Sequence, residues 1–233
     1  MARSGQTQDI NKDSALSPKN PTEPGADVGA VDNQRDTLVA SDGAGPLLQR
    51  DYWATIHGSA CTPEEAVQKV LKDFPEFSPR HLAEFSGDTM SAEAETATKP
   101  LSLGDEMQIQ IKMTGLSQVR IVHIDERSMT MRTLKGHPEA GRITFGAYYD
   151  AEDHLIFRIR SRARASSSLK YVGYELFGKA MQTEVWITFV QRVAEACGGT
   201  IQAEVQVNET EVSATVADTG ELDTPTFVAR DRK

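Results

Sequence analysis

His137-Pro138-Glu139 sets an imidazole and a carboxylate two positions apart. That pairing suits general acid–base chemistry, because the imidazole takes up a proton near neutral pH and the carboxylate orients the ring. The same tripeptide lies between Gly136 and Gly141, with Pro138 fixing one torsion, which is the composition of a turn between strands. No nucleophile with a base partner, phosphate-binding glycine loop or metal-ligand spacing accompanies it. The turn is the favoured reading, and His137 and Glu139 are the catalytic candidates if there is catalysis.

Arg158, Arg160, Arg162 and Arg164 recur at period two, so they share one face of a strand. Aligned guanidinium groups repel unless solvated or paired. Acidic residues on neighbouring strands, or a phosphate or carboxylate gripped in bidentate fashion, would each hold them. No aromatic platform is interleaved with them, which argues against nucleic acid. On the opposite parity stand Phe157 and Ile159. With Ile109, Ile111, Ile121, Met129, Met131, Ile143 and Phe145 they form an apolar face suited to a small greasy ligand, and Tyr148, Arg162, Gln182 and Trp186 are the groups to orient it.

The elements that carry these residues show in the hydrophobic period. Residues 49–58 alternate as a first strand, with Tyr52, Ala54 and Ile56 on one face. Thr62, Pro63 and Glu65 form a capping box with proline at the first helical position, and Ala66, Val67, Val70, Leu71 and Phe74 follow at helical steps. Pro75 is expected to stop that helix, and Ser78-Pro79 to start a second short one bearing Leu82 and Phe85. Residues 86–104 read as a loop. From Asp105 the period changes to two through about five hairpin-linked strands, ending in the arginine-bearing run. A long helix spans about 169–197, and Gly198-Gly199 ends it. Alternation near 201–207 and 212–216 suggests a hairpin in the tail.

The 233-residue chain carries a net charge of −9. About −3 falls in residues 1–46 and −4 in residues 199–233, leaving the middle near neutral. An acidic whole argues against bulk affinity for nucleic acid or anionic membranes. Residues 1–46 hold too few apolar groups to offset chain entropy and read as a disordered acidic segment, followed by one domain at 47–198 and a tail at 199–233. Cys61 and Cys197 are too few for a disulfide scaffold, have no metal spacing, and read as reduced thiols. Neither a metal nor a cofactor is expected. No apolar run approaches ~18 residues, so membrane insertion is not expected and a cytoplasmic location is.

Strand, helices, meander and closing helix together imply an α+β fold, a curved antiparallel sheet wrapped on a long C-terminal helix. Residues 105–197 also resemble the family of unknown function DUF1990 (also called UPF0548), of the START and Bet v 1-like helix-grip superfamily. The resemblance rests on Thr133-Leu134-Lys135-Gly136-His137-Pro138-Glu139-Ala140-Gly141, then Phe145, Ser161-Arg162 and Gln182. Arg132, Arg142 and Ala163 depart from the family pattern of Gly, Glu and Pro. The resemblance implies a helix-grip domain without a settled biochemical role. The reading that follows is binding of an apolar or amphipathic small molecule between sheet and helix. A cyclase- or hydrolase-type enzyme on this scaffold, and an interaction module using the Arg158–Arg164 face, are the alternatives.

Overall fold

The computed structural model describes residues 36–87, 99–111, 115–167 and 179–213. Among the described residues, nine strands form one open antiparallel sheet. They are β1 (Ala44–His57), β2 (Ala83–Gly87), β3 (Glu106–Ile111), β4 (Gly115–Ile124), β5 (Ser128–Thr133), β6 (Glu139–Tyr149), β7 (Leu155–Ala165), β8 (Thr200–Ile201) and β9 (Gln206–Glu211). Strands β2 to β7 follow one another as a meander, β1 pairs with β7, and β8 and β9 pair with β1. Two helices, α1 (Pro63–Phe77) and α2 (Lys179–Ala196), cover one face. This is a helix-grip-like α+β arrangement.

Strand alternation builds that face. Along β3, Met107 and Ile109 are buried while Gln108 and Gln110 are exposed. In the centre, Phe145 on β6 pairs with Ile159 on β7, which pairs with Tyr52 on β1. Against them α1 sets Val67, Val70 and Phe74, and α2 sets Val185, Phe189 and Val193, all buried. Phe189 is the hub. Its ring lies 5.0 Å from Phe74, 5.2 Å from Phe145 and 5.4 Å from Phe77. Such offset and tilted pairs favour a solid centre under the helix. Phe189→Ala is expected to cost roughly 3–5 kcal/mol, measurable as a lower urea midpoint at unchanged m-value.

The start of α1 is the expected capping box. The Glu65 N–H donates to Thr62 Oγ1 at 3.2 Å, and the Thr62 N–H donates to the Glu65 carboxylate at 2.8 Å. Pro75 does not stop the helix. The chain takes a non-helical step at Asp73 (φ −121°, ψ 27°) and resumes helix to Phe77. Proline lacks an N–H and clashes with the carbonyl four residues back, and one kink relieves both. The second short helix is also corrected. Residues 83–87 form β2, because Ala83 and Phe85 face the core at period two and the backbone pairs with β3.

Within the segment expected to be disordered, the Leu38 N–H donates to the Thr133 carbonyl, and a 3-10 turn at Ala40–Asp42 leads into β1. In the tail, β8 and β9 each pair with β1, and residues 214–216 of the expected hairpin lie outside the described residues. Residues 169–178, the expected first half of the long helix with Tyr171 and Tyr174, lie outside the described residues, as do residues 1–35.

The β4–β5 turn carries a pH dependence. Asp125 accepts from the Arg127 and Ser128 N–H groups, from Ser128 Oγ, and pairs with His123 Nε2 at 3.0 Å. Burial alone would raise the carboxyl, but the His123, Arg127 and Ser128 bonds outweigh it and lower it to about 2. A depressed carboxyl contributes stability that is full above the unfolded value, near 4, and is lost as pH falls through about 2. Asp125→Asn is therefore expected to flatten the acid limb of stability between those values, read by denaturant midpoints across an acid series.

Candidate functional site

The glycine–histidine–proline segment joins β5 to β6, and each motif residue has a local task. Gly136 adopts φ +98°, a left-handed turn position that favours glycine. The His137 N–H donates to the Leu134 carbonyl, and the Pro138 carbonyl accepts from Ser166. Gly141 lies against β7 so closely that a Cβ there would stand 2.2 Å from the Arg162 carbonyl oxygen. Thr133 Oγ1 accepts from the Gly141 N–H at 3.1 Å and lies 3.2 Å from the Gly141 carbonyl. The motif is thus a built turn, and it delivers two side chains inward.

His137 is 7% exposed and Glu139 8% exposed, so the histidine does not stand in solvent at a hairpin tip. The Glu139 N–H donates to His137 Nδ1 at 3.0 Å. The same nitrogen lies 3.1 Å from the Glu139 carbonyl oxygen, so the Glu139 backbone engages Nδ1 in either tautomer. The Glu139 carboxylate turns elsewhere: Oε1 pairs with Arg50 Nη1 at 3.2 Å, and Oε2 accepts from Gln182 Nε2 at 3.0 Å. Arg50, 3% exposed, also donates to Glu209 on β9 at 2.8 Å. Beside it, the Tyr52 hydroxyl hydrogen-bonds Thr183 of α2, and burial, the largest influence, raises its pKa. Four elements (β1, β6, β9 and α2) therefore meet at one buried carboxylate.

Above that carboxylate lies a recess of about 110 Å³ between the sheet and the start of α2. Its wall is mostly apolar, built by Leu82, Phe85, Ile109, Ile111, Val119 and Val185 with Ala163. His137, Glu139 and Gln182 lie at its polar end. Ser161 Oγ and Trp186 Nε1, on two further lining residues, are buried with no hydrogen-bond partner among the described residues.

Of the residues expected to line a ligand space, Met131, Ile143, Gln182 and Trp186 do border this recess. Met129, Phe145, Phe157 and Ile159 do not; each is at most 1% exposed and packed into the solid centre. Tyr148 and Arg162 lie on the other face of the sheet. Tyr148 pairs with Ile156 and Arg162 with Arg142, in register with the outward arginines rather than with Phe145 and Ile159. Neither borders the recess, although Arg142, the register partner of Arg162, does. Ile109 and Ile111 on β3 were also expected and border the recess, and Ile121 does not; Phe85 on β2 and Arg50 were not anticipated. Arg50 shares the parity of Tyr52 and Ala54, and a charged residue on an apolar face is the available signal.

The arginine face is internally paired. Asp51, 1% exposed, accepts from Arg158 Nε at 2.9 Å and Arg160 Nε at 2.7 Å. Gln49 links the next position, accepting from Arg162 at 2.8 Å and donating to Asp51 at 2.9 Å. Arg158 also lies 5.2 Å from the Trp53 ring centre.

A second, more open recess of about 390 Å³ lies at the far end of β1, bordered by Trp53, His57, His154 and residues 201–204. It is larger and shallower, and its wall is less apolar than that of the first. At its rim Asp150, Glu152 and His154 hold potential ligand atoms within 4.8 Å of one another. Asp150 Oδ1 there accepts from the Glu152 and His154 N–H groups, so the cluster serves the β6–β7 turn. No helix among the described residues is long and apolar enough to cross a membrane.

Residues 58–195 match the family described as "Domain of unknown function (DUF1990)". The chain belongs to this family. In DUF1990 terms, the matched span runs from the end of β1 through nearly all of α2 and includes His137, Glu139 and Gln182, while Arg50 and Glu209, which support Glu139 from behind, lie outside it. No curated protein matches the chain in sequence. Among solved structures it is similar to major latex-like protein 151 from Panax ginseng, at 14% identity and TM-score 0.40, covering 66% of this chain and 99% of that one. It is similar also to norcoclaurine synthase from Thalictrum flavum, at 9% identity and TM-score 0.45, covering 77% and 98%. The di-domain ARO/CYC StfQ from the steffimycin biosynthetic pathway aligns at 10% identity and TM-score 0.42, covering 68% of this chain and 51% of that one.

Proposed function

We propose that this DUF1990 domain binds a small apolar or amphipathic molecule in the recess beside the start of α2. The observation that carries the reading is an apolar wall ending on a buried carboxylate held by Arg50 and Gln182. An apolar wall provides affinity in proportion to the area taken from water, and a few fixed polar groups provide orientation. The volume bounds the guest. An apolar cavity of ~150 Å³ accepts benzene, so about 110 Å³ suits one small ring or a short chain, with any larger part outside. Its polar atom would meet Gln182, Glu139 or the Nε2 side of His137.

Binding is preferred to catalysis for a specific reason. His137 Nδ1 is engaged by the Glu139 backbone, and the Glu139 carboxylate is turned to Arg50 and Gln182. The carboxylate therefore does not orient the imidazole as an acid–base pair requires.

Native mass spectrometry of the purified chain is expected to show a co-purified small molecule. Titration with p-cresol and indole is expected to shift the Gln182 side-chain amide and Trp186 indole NMR signals together. Ala163→Leu fills the recess from its wall and should abolish both shifts while leaving the fold intact. Wild-type signals that stay still at millimolar probe, or an undiminished response in Ala163→Leu, would sink the proposal.

A further inference from the structure

The chain has two cysteines, Cys61 and Cys197, far apart in sequence. The fold brings them together, one just ahead of α1 and the other just after α2, where the two thiols are electrostatic neighbours. The backbone is pinned on both sides. The Ala60 N–H donates to the Cys197 carbonyl at 2.8 Å, and Ser59 Oγ holds the Cys61 N–H at 3.1 Å. After Cys197 the Gly198 and Gly199 N–H groups return to the Glu195 and Ala194 carbonyls of α2. Gly199 then passes so close to β1 that a Cβ there would stand 2.4 Å from Ile56. Neither cysteine takes part in the recess.

We propose that Cys61 and Cys197 are a reversible oxidation site, a dithiol that exchanges with a low-molecular-weight disulfide and closes into an intramolecular disulfide. Exposure sets the order of events. Cys61 is half-buried and Cys197 is buried, so the small disulfide reaches Cys61 first. The Cys61 thiolate attacks one sulfur of the reagent, and the reagent's first thiolate leaves. The Cys197 thiolate then attacks the Cys61 sulfur of the mixed disulfide and expels the second thiolate. Two electrons pass from the protein to the reagent, and the two protons shed by the cysteines are taken up by the two departing thiolates. One disulfide is consumed and one is formed.

The neighbouring thiols must still close to about 2.05 Å, which needs side-chain rotation rather than backbone travel at so pinned a site. Burial, and after it the neighbouring Cys61 thiol, push the Cys197 thiol up to about 12, with Lys69 opposing. Ring closure is therefore the slow step and quickens as pH rises. The bond would tie the start of α1 to the end of α2 and so restrict the unfolded chain across most of the domain.

The test incubates the full native chain with glutathione disulfide in mildly alkaline buffer and follows intact mass and peptide maps. The expected product has lost the mass of two hydrogen atoms, yields one cross-linked peptide containing both cysteines, and reverts with dithiothreitol. Its Tm is expected to rise by roughly 5 °C. Cys197→Ser should stop at a stable Cys61–glutathione mixed disulfide, and Cys61→Ser should stay unmodified while folded. The same reagent on urea-unfolded wild type confirms that it is active. Native wild type that keeps both thiols, halts at the mixed disulfide, or forms only intermolecular bonds would overturn the proposal.

Discussion

Gly141→Ala is expected to destabilise the chain by roughly 3–5 kcal/mol, near the upper end for a single methyl group. Two costs coincide at this position. The backbone holds φ +154°, where an L side chain is strained by about 1–3 kcal/mol. The added Cβ would also stand 2.2 Å from the Arg162 carbonyl, 2.7 Å from Ala163 Cα and 2.8 Å from Ala163 Cβ. Two of those atoms are backbone, so no rotamer change relieves the contact. The β6–β7 pairing at Gly141 and Ala163 must open, and that registers the turn carrying His137 and Glu139. Gly136→Ala is the matched control, since it has positive φ but nothing within 4 Å of the new carbon. It should cost only about 1–2 kcal/mol. Urea unfolding of both variants at constant m-value decides the matter, and equal losses would refute the close-approach argument.

Asp51→Ala comes next, with an expected cost of about 3–5 kcal/mol. One buried carboxylate holds Arg158, Arg160 and Gln49, and its removal takes that charge from two adjacent guanidinium groups. Arg160, 5% exposed, has little access to water in compensation. Arg158→Ala should be milder, because that side chain is 21% exposed and better screened. A double-mutant cycle of Asp51 with Arg160 should return a coupling above about 1 kcal/mol. This bears on the interaction-module alternative. Loss of a partner in an Arg160 variant must be separated from loss of fold, by measuring thermal unfolding beside any pull-down.

Much of the architecture was legible because it is local. The two-residue period of β3 and β5 to β7, the Thr62 capping box and the apolar stripe of α1 are written in adjacent residues and survive, while an irregularity between Ile121 and His123 breaks the period of β4. What failed depends on partners distant in sequence. Residues 83–87 are too short for period to separate strand from helix, and pairing with β3 decides it. Alternation in the tail marks a strand but not its partner, which for residues 206–211 is β1. Pro75 reads as a stop only if a helix cannot kink.

The site was half legible. Strand parity alone sets Tyr148 and Arg162 on the face opposite Ile143 and Met131, and neither borders the recess. Whether an inward apolar residue borders space or fills the core is not a sequence property. Phe145 and Ile143 share a face of β6, but the rings of Phe74 and Phe189 close over the first and not the second.

The sheet order also dictates a timetable. β1 leaves the ribosome before every other strand, yet each of its partners (β7, β8 and β9) is made later. Tyr52, Ala54 and Ile56 must therefore wait, unsheltered, until β7 has been translated some hundred residues on. Pairings that close so late fold slowly and leave sticky segments open to other nascent chains. This domain's most dangerous moment precedes the completion of its own message, and holdase chaperones that shield extended apolar segments are the natural guardians of that interval.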